Sequence, residues 1–184
     1  VYHYDQNGLL TAESTSAGTI TAEYVYLNGQ PFAKINTRIS GAAYNYPDPV
    51  GSPGFRASLS LNVNSSSLAT GYIKYVFKRM FLTNTSTTGL SITGNTAIVT
   101  GIGTVNNIIL GVKETIPGCT ITATITEGSP DAMGIEIRKP DGTIYYSAAT
   151  QSVASGNYTI KDNINYYHND HLETPMLMTD SSGS

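Results

Sequence analysis

From Arg56 to Asn64 the chain alternates without a break. Ala57, Leu59, Leu61 and Val63 fall on one side, and Ser58, Ser60 and Asn62 on the other. A strand turns successive side chains to opposite faces, so this period suits a half-buried strand and does not suit a helix. The run Cys119-Thr-Ile-Thr-Ala-Thr-Ile-Thr126 repeats it, with Cys119, Ile121, Ala123 and Ile125 inward. Gly71–Leu82 is read as one further strand, with Ile73, Tyr75, Phe77 and Phe81 on one face and Lys74 and Lys78 on the other. Ile135 and Ile137 alternate with Glu136 and Arg138; Pro140-Asp141-Gly142 then supplies a turn, and Thr143-Ile-Tyr-Tyr-Ser147 the return strand. No segment carries a helical apolar period. Roughly eight short strands divided by turn residues predict an all-β fold, an antiparallel β-sandwich over residues 38–160.

Composition narrows the class further. Charged residues are 12 % of the chain, against about a quarter in ordinary globular domains. Tyr occurs 13 times and Trp never. A polar, weakly charged, β-branched mixture suits sheets. The single cysteine, Cys119, rules out a disulfide within the chain and is expected as a buried structural thiol, since no basic residue or His stands near it in sequence. No apolar run reaches the length of a membrane-spanning helix. The opening Val-Tyr-His-Tyr-Asp is neither a signal peptide nor an initiator, so the chain is read as a processed part of a longer product. A net charge of −3 gives no reason to expect nucleic acid.

The chain also divides by character into 1–37, 38–160 and 161–184. The first segment holds two Asn-Gly turn signals, Asn7-Gly8 and Asn28-Gly29, each between strand-forming runs. The last holds a Tyr-rich run and a polar tail. Charge follows the same division: the middle has eight Lys/Arg and six Asp/Glu, whereas the flanks have two Lys and seven Asp/Glu.

Three runs in the flanks are distinctive: Tyr4-Asp5-Gln-Asn-Gly8-Leu9-Leu-Thr-Ala-Glu13, Glu23-Tyr-Val-Tyr-Leu-Asn-Gly-Gln-Pro-Phe-Ala-Lys-Ile35, and Tyr166-Tyr-His-Asn-Asp-His-Leu-Glu-Thr-Pro-Met-Leu-Met-Thr-Asp180. Together they resemble the C-terminal part of an Rhs/YD-repeat core, over about 60 of the 184 residues. In that family the second and third runs are separated by a short stretch; here about 130 residues intervene. Glu173 departs from the family's usual Gly. The resemblance implies hairpins wound into a bacterial shell outside the cell or on its surface. The middle segment is similar to β-sandwich modules of secreted bacterial proteins, through Ile92–Asn106 and Gly134–Tyr146. Asp48-Pro-Val-Gly51 is similar to the element with which Rhs-type proteins release a C-terminal cargo, but it lies upstream of the Asp170-His171-Leu172 run instead of downstream. It is therefore read as a linker loop.

Chemistry has few carriers. The three histidines, His3, His168 and His171, all lie in the flanks, so a Ser-His-Asp or Cys-His site inside the middle segment is excluded. His168 and His171 point to opposite faces of an extended chain and make a poor metal pair. Asp48, Glu114, Glu127, Asp131, Glu136 and Asp141 show no spacing that brings two carboxylates together. No catalytic residue, metal or cofactor is expected. Lys74, Lys78 and Arg79 are read as a solvated group protecting a strand edge. Two readings stay open for the tyrosines. Rings exposed at Tyr44, Tyr46, Tyr72, Tyr145 and Tyr146 can stack on sugars, with Tyr72, Tyr145 and Tyr146 as the ligand-binding candidates; alternatively they pack on sheet surfaces. Tyr2, Tyr4, Leu9, Tyr24, Tyr26, Tyr166 and Tyr167 mark the flank strands expected to pair with each other, with other YD-type segments or with neighbouring copies. The expected role is structural assembly, with glycan binding as the alternative.

Overall fold

The computed structural model describes residues 1–16, 18, 20–47, 54–109, 111–169 and 175–179. The chain is all-β and antiparallel, 75 % strand and 3 % helix. Thirteen strands are described: β1 (Tyr2–Tyr4), β2 (Leu10–Ser14), β3 (Ile20–Leu27), β4 (Gln30–Asn45), β5 (Ala57–Asn64), β6 (Tyr72–Phe77), β7 (Met80–Thr93), β8 (Thr96–Ile109), β9 (Val112–Thr126), β10 (Ala132–Arg138), β11 (Ile144–Ser152), β12 (Ser155–Asn169) and β13 (Pro175–Thr179). A 3-10 turn, Ser65–Thr70, joins β5 to β6. From β1 to β11 each strand pairs with the next; β12 pairs with β4 and β13.

Two compact units emerge. The larger comprises Ile39–Val63 and Ser67–Ile160. Its strands from β4 to β11 run as one continuous antiparallel meander with β12 beside β4, and the inner faces meet in a single core, an arrangement compatible with the expected sandwich. Ala57, Leu59, Leu61 and Val63 of β5 are buried, as are Cys119, Ile121, Ala123 and Ile125 of β9 and Ile135 and Ile137 of β10. Hydrogen bonds join strands remote in sequence: the Tyr75 hydroxyl donates to Tyr146 at 3.1 Å, and Tyr158 donates to the Leu59 carbonyl at 3.0 Å. The Cys119 thiol is buried, and that burial pushes its pKa up, as for an inert structural cysteine.

One predicted strand proves to be two. Lys78 and Arg79 form a tight turn with Lys78 at φ 53°. Phe77 then pairs with Met80, and Val76 with Phe81. Partners opposite each other share a face, so Met80 and Leu82 are buried, while Phe81 shares the outer face of half-exposed Val76 and is only partly covered. The turn resets the alternation, which a continuous reading of Gly71–Leu82 carries straight through.

Tyr75 and Tyr158 are each 2 % exposed, and burial drives both phenols above their ordinary range. The folded state therefore keeps protons that the unfolded chain releases above pH about 10. Stability from these groups is complete below that pH and is lost above it, at about 1.4 kcal/mol per pH unit per group. Melting temperature is expected to be flat from pH 8 to about 9.5 and to fall steeply beyond, less so in a Tyr75→Phe, Tyr158→Phe variant. A wild-type melting temperature unchanged at pH 11 would contradict this burial.

The smaller unit comprises Val1–Arg38, Asn64–Ser66 and the described part of Lys161–Ser184. Its β3–β4 hairpin closes on Asn28-Gly29, both with positive φ (51° and 80°), between the paired Leu27 and Gln30. This is the two-residue turn whose twist matches the strands, and Asn-Gly tolerates it best. Asn7-Gly8 makes a wider loop instead. Asp5 anchors it by accepting from the amides of Asn7 and Leu9 at 2.8 and 2.9 Å. Leu9, expected in a strand, lies in this loop, and β2 begins at Leu10.

Candidate functional site

The larger unit carries a cleft of about 490 Å³. Its floor is a row of residues in register across four strands. Phe77 pairs with Met80, Met80 with Asn107, and Asn107 with Glu114, so all four share one face. Tyr145 and Tyr146 of β11 complete the lining. Consecutive strand residues ordinarily point to opposite faces. Here the register slips: Ile137 pairs with Tyr146 but Arg138 with Ile144, leaving Tyr145 as the extra residue of a β-bulge. Such a bulge re-aims a side chain, and both tyrosines reach the cleft.

Their surroundings differ. Asn107 Nδ2 donates to the Tyr145 hydroxyl at 2.9 Å, and that hydroxyl donates to Glu114 Oε2 at 2.8 Å. The Tyr145 phenol is raised above its ordinary value, by burial first. Lys139 Nζ lies 5.8 Å from the centre of the Tyr145 ring. Tyr146 packs on Tyr75 and Phe77, with ring centres 5.8 and 5.2 Å apart. Neither tyrosine is the freely exposed platform expected: both are half-buried. Tyr146 serves core packing, because its ring is already stacked. Tyr72 is not among the cleft residues; it is exposed on the outer face of β6 with Lys74 Nζ 5.3 Å from its ring. Tyr44 stacks under Arg56, 4.2 Å away, and edge-on to Tyr46.

In the smaller unit Tyr24, Tyr26, Tyr166 and Tyr167 are half-buried and Tyr2 and Tyr4 exposed. The Tyr24 hydroxyl donates to Glu13, which also pairs with Lys34 at 3.5 Å; the Lys34 ammonium lies 5.2 Å from the centre of the Tyr24 ring. Burial, then Glu13, raises the Tyr24 phenol. Phe32 and Tyr166 meet edge to face at 5.7 Å, so the N-terminal and C-terminal flanks do meet within this chain. His3 Nε2 lies 2.8 Å from Ser14 Oγ, a contact joining β1 to β2. Among the described residues no group of three or more His, Cys, Asp or Glu is placed to hold a metal ion. Asp48-Pro-Val-Gly51 and the Asp170–Thr174 run, with His171 and Glu173, lie outside the described residues.

The fold thus defines a class, an antiparallel all-β chain of two units with a tyrosine-lined cleft. No protein-family model, curated protein or solved structure matches it. Among the described residues no helix is long and apolar enough to cross a membrane.

Proposed function

We propose that this chain is a non-catalytic structural module of an extracellular or surface-exposed bacterial protein of the Rhs/YD-repeat type, and that the strand edges of its smaller unit join it to further strands of the same kind. One observation supports this most. A sheet must bury a face to be stable, yet among the described side chains the buried hydrophobic residues of the smaller unit are Ala22 and Ala33, while Val1, Tyr2, Tyr4, Ile20, Val25, Leu27 and Phe32 are exposed. Such a sheet gains stability from added neighbours.

The edges suit that addition. Strand order in this unit is β1-β2-β3-β4-β12-β13, with β1 paired only to β2 and β13 only to β12 among the described residues. Six alternating strands leave the two edges antiparallel, so β13 of one copy can pair with β1 of the next in the same orientation. Repeated without closure, this builds a filament. The Ser14 amide donates to the Val1 carbonyl at 2.8 Å, so the bonding groups of the next residue, Tyr2, point outward.

Tyr2→Pro removes that outward donor and keeps the β1–β2 bonds. Light scattering and negative-stain microscopy of the full chain are expected to show species well above the 19.6 kDa chain mass, reduced to monomers by Tyr2→Pro. A wild-type chain that stays monomeric at high concentration, or assemblies indifferent to Tyr2→Pro, would refute the edge mechanism.

A further inference from the structure

We propose that the tip of the β8–β9 hairpin is a membrane-docking element that inserts into the headgroup region of a bilayer carrying anionic lipid. This goes beyond the assembly reading and does not depend on it. Hairpin connections are ordinarily built from polar residues and glycine. Here the connection reads Ile108-Ile-Leu-Gly-Val112. Ile109 pairs with Val112, and Gly111 has φ 83°. The hairpin end stands clear of its neighbours among the described residues: β7 last pairs with β8 at Asn107, and β10 last pairs with β9 at Thr120. Val112 is 69 % exposed, Ile109 52 % and Ile108 38 %. Exposed Ile144 of β11 borders the same cleft as Ile109 and extends the apolar surface. An apolar cluster on a projecting element marks an interaction site.

Two features select a bilayer over a groove in another protein. The first is that the tip is apolar on both faces. Paired residues share a face and neighbours along a strand alternate, so Ile109 and Val112 lie on one face, and Ile108 with its partner Lys113 on the other. A groove receives one face of a hairpin, whereas lipid surrounds an inserted tip on every side. The second is the basic charge beside it. Lys113 is the partner of Ile108, and Arg79 directly precedes Met80, the partner of Asn107. Both cations are exposed. The described salt bridges, Lys34–Glu13 and Arg138–Glu136, involve neither. The acid next to Lys113, Glu114, takes the opposite face and accepts from the Tyr145 hydroxyl. Basic side chains at headgroup level with apolar ones beyond them make the arrangement that binds anionic bilayers. The reach fits as well. Residues 108–109 and 112–113 extend roughly 7 Å, within the about 5–10 Å to which interfacial elements sink.

The test is flotation of the full chain with vesicles of phosphatidylcholine, alone or with about a third phosphatidylserine. It is run in the Tyr2→Pro background, so that failure of assembly and failure of docking are read separately. Binding to the anionic vesicles is expected, about tenfold or more stronger than to the neutral ones. Ile109→Ser with Val112→Ser changes two exposed side chains and is expected to lower it at least about tenfold with unchanged circular dichroism. Arg79→Gln with Lys113→Gln is expected to lose about tenfold or more on anionic vesicles only. Insertion is read by a polarity-sensitive fluorophore at Val112→Cys; Cys119, the single cysteine, is buried, so the label goes to the tip. Its emission is expected to shift to the blue on anionic vesicles, whereas the same label at Thr93→Cys, exposed at the far end of the β7–β8 pair, stays unshifted. No flotation with anionic vesicles, equal flotation with neutral ones, flotation unchanged by the serine pair, or an unshifted label at position 112 would each overturn the proposal. Self-association without flotation, lost in the serine pair, would overturn it by assigning the tip to a second copy.

Discussion

Gly156→Ala is expected to unfold the larger unit or to lower its stability by about 4 kcal/mol. Gly156 opens β12 with φ 92°, a region that side chains rarely adopt. A Cβ added there would stand 2.2 Å from the Ala42 carbonyl oxygen and 2.6 Å from the Ala43 Cα. Both obstacles are backbone, so no rotamer change relieves them. The crossing is reciprocal: a Cβ at Gly41 would lie 2.3 Å from the Asn157 carbonyl oxygen and 2.7 Å from the Tyr158 Cα. β4 and β12 approach so closely that each needs a glycine where it meets the other. Strand β12 also carries Tyr158, whose ring fills the core between Leu59 and Met133. Chemical denaturation followed by circular dichroism measures the loss. Gly94→Ala, at an open turn where nothing lies within 4 Å, is the control and should cost about 1–2 kcal/mol from its positive φ alone. Equal effects at the two positions would show that the crossing is not tight.

Asp131→Ala is expected to cost about 3 kcal/mol, and Asp131→Asn somewhat less. Asp131 is 6 % exposed. One carboxylate oxygen accepts from the Gly128 amide at 2.8 Å, and the other from the buried Tyr158 amide at 2.6 Å. Its own carbonyl accepts from the Val153 amide at 2.8 Å. A single aspartate thus closes the β9–β10 turn and fixes the start of β12. Alanine strands the Tyr158 amide in the core, where an unsatisfied donor is costly. Asparagine keeps one acceptor but turns an NH₂ toward the second donor. The order Ala worse than Asn worse than wild type in denaturant midpoint is the expected result; a wild-type midpoint for Asp131→Ala would show that these bonds add nothing net.

The alternating runs told most about the fold. At Arg56–Asn64 and Cys119–Thr126 the two faces read from sequence are the buried and less buried faces observed. The signal is strong there because one side of each strand meets only apolar neighbours. It failed at Lys78-Arg79, where a turn without Gly or Pro closes a hairpin. Lysine is a poor marker of positive φ, so nothing local announced the reset. It failed also at Leu9, because the Asn7-Gly8 loop is set by the Asp5 carboxylate and spans five residues, Asp5 to Leu9, between the paired Tyr4 and Leu10.

The candidate site was only partly legible. Tyr145 and Tyr146 were singled out as an aromatic pair, but an aromatic residue on a strand reads the same whether it packs or binds. What separates the two is the bulge: Tyr146 stays in register with Ile137 and stacks on Tyr75 and Phe77, and Tyr145 is turned to Asn107 and Glu114. Asn107 and Glu114 carried no signal of their own, being single polar residues on long strands.

By itself the sequence determined the all-β class, the inward face of the best strands, the burial of Cys119 and the Asn28-Gly29 hairpin, because each depends on neighbours a few residues away and on side chains that prefer one environment. Only the tertiary structure decided that the strands run as one meander, that Phe77, Met80, Asn107 and Glu114 line up in a row, and that Gly41 and Gly156 let two backbones touch. Those relations join residues tens of positions apart, and register between distant strands is set by how the whole core packs, which no short run of residues encodes.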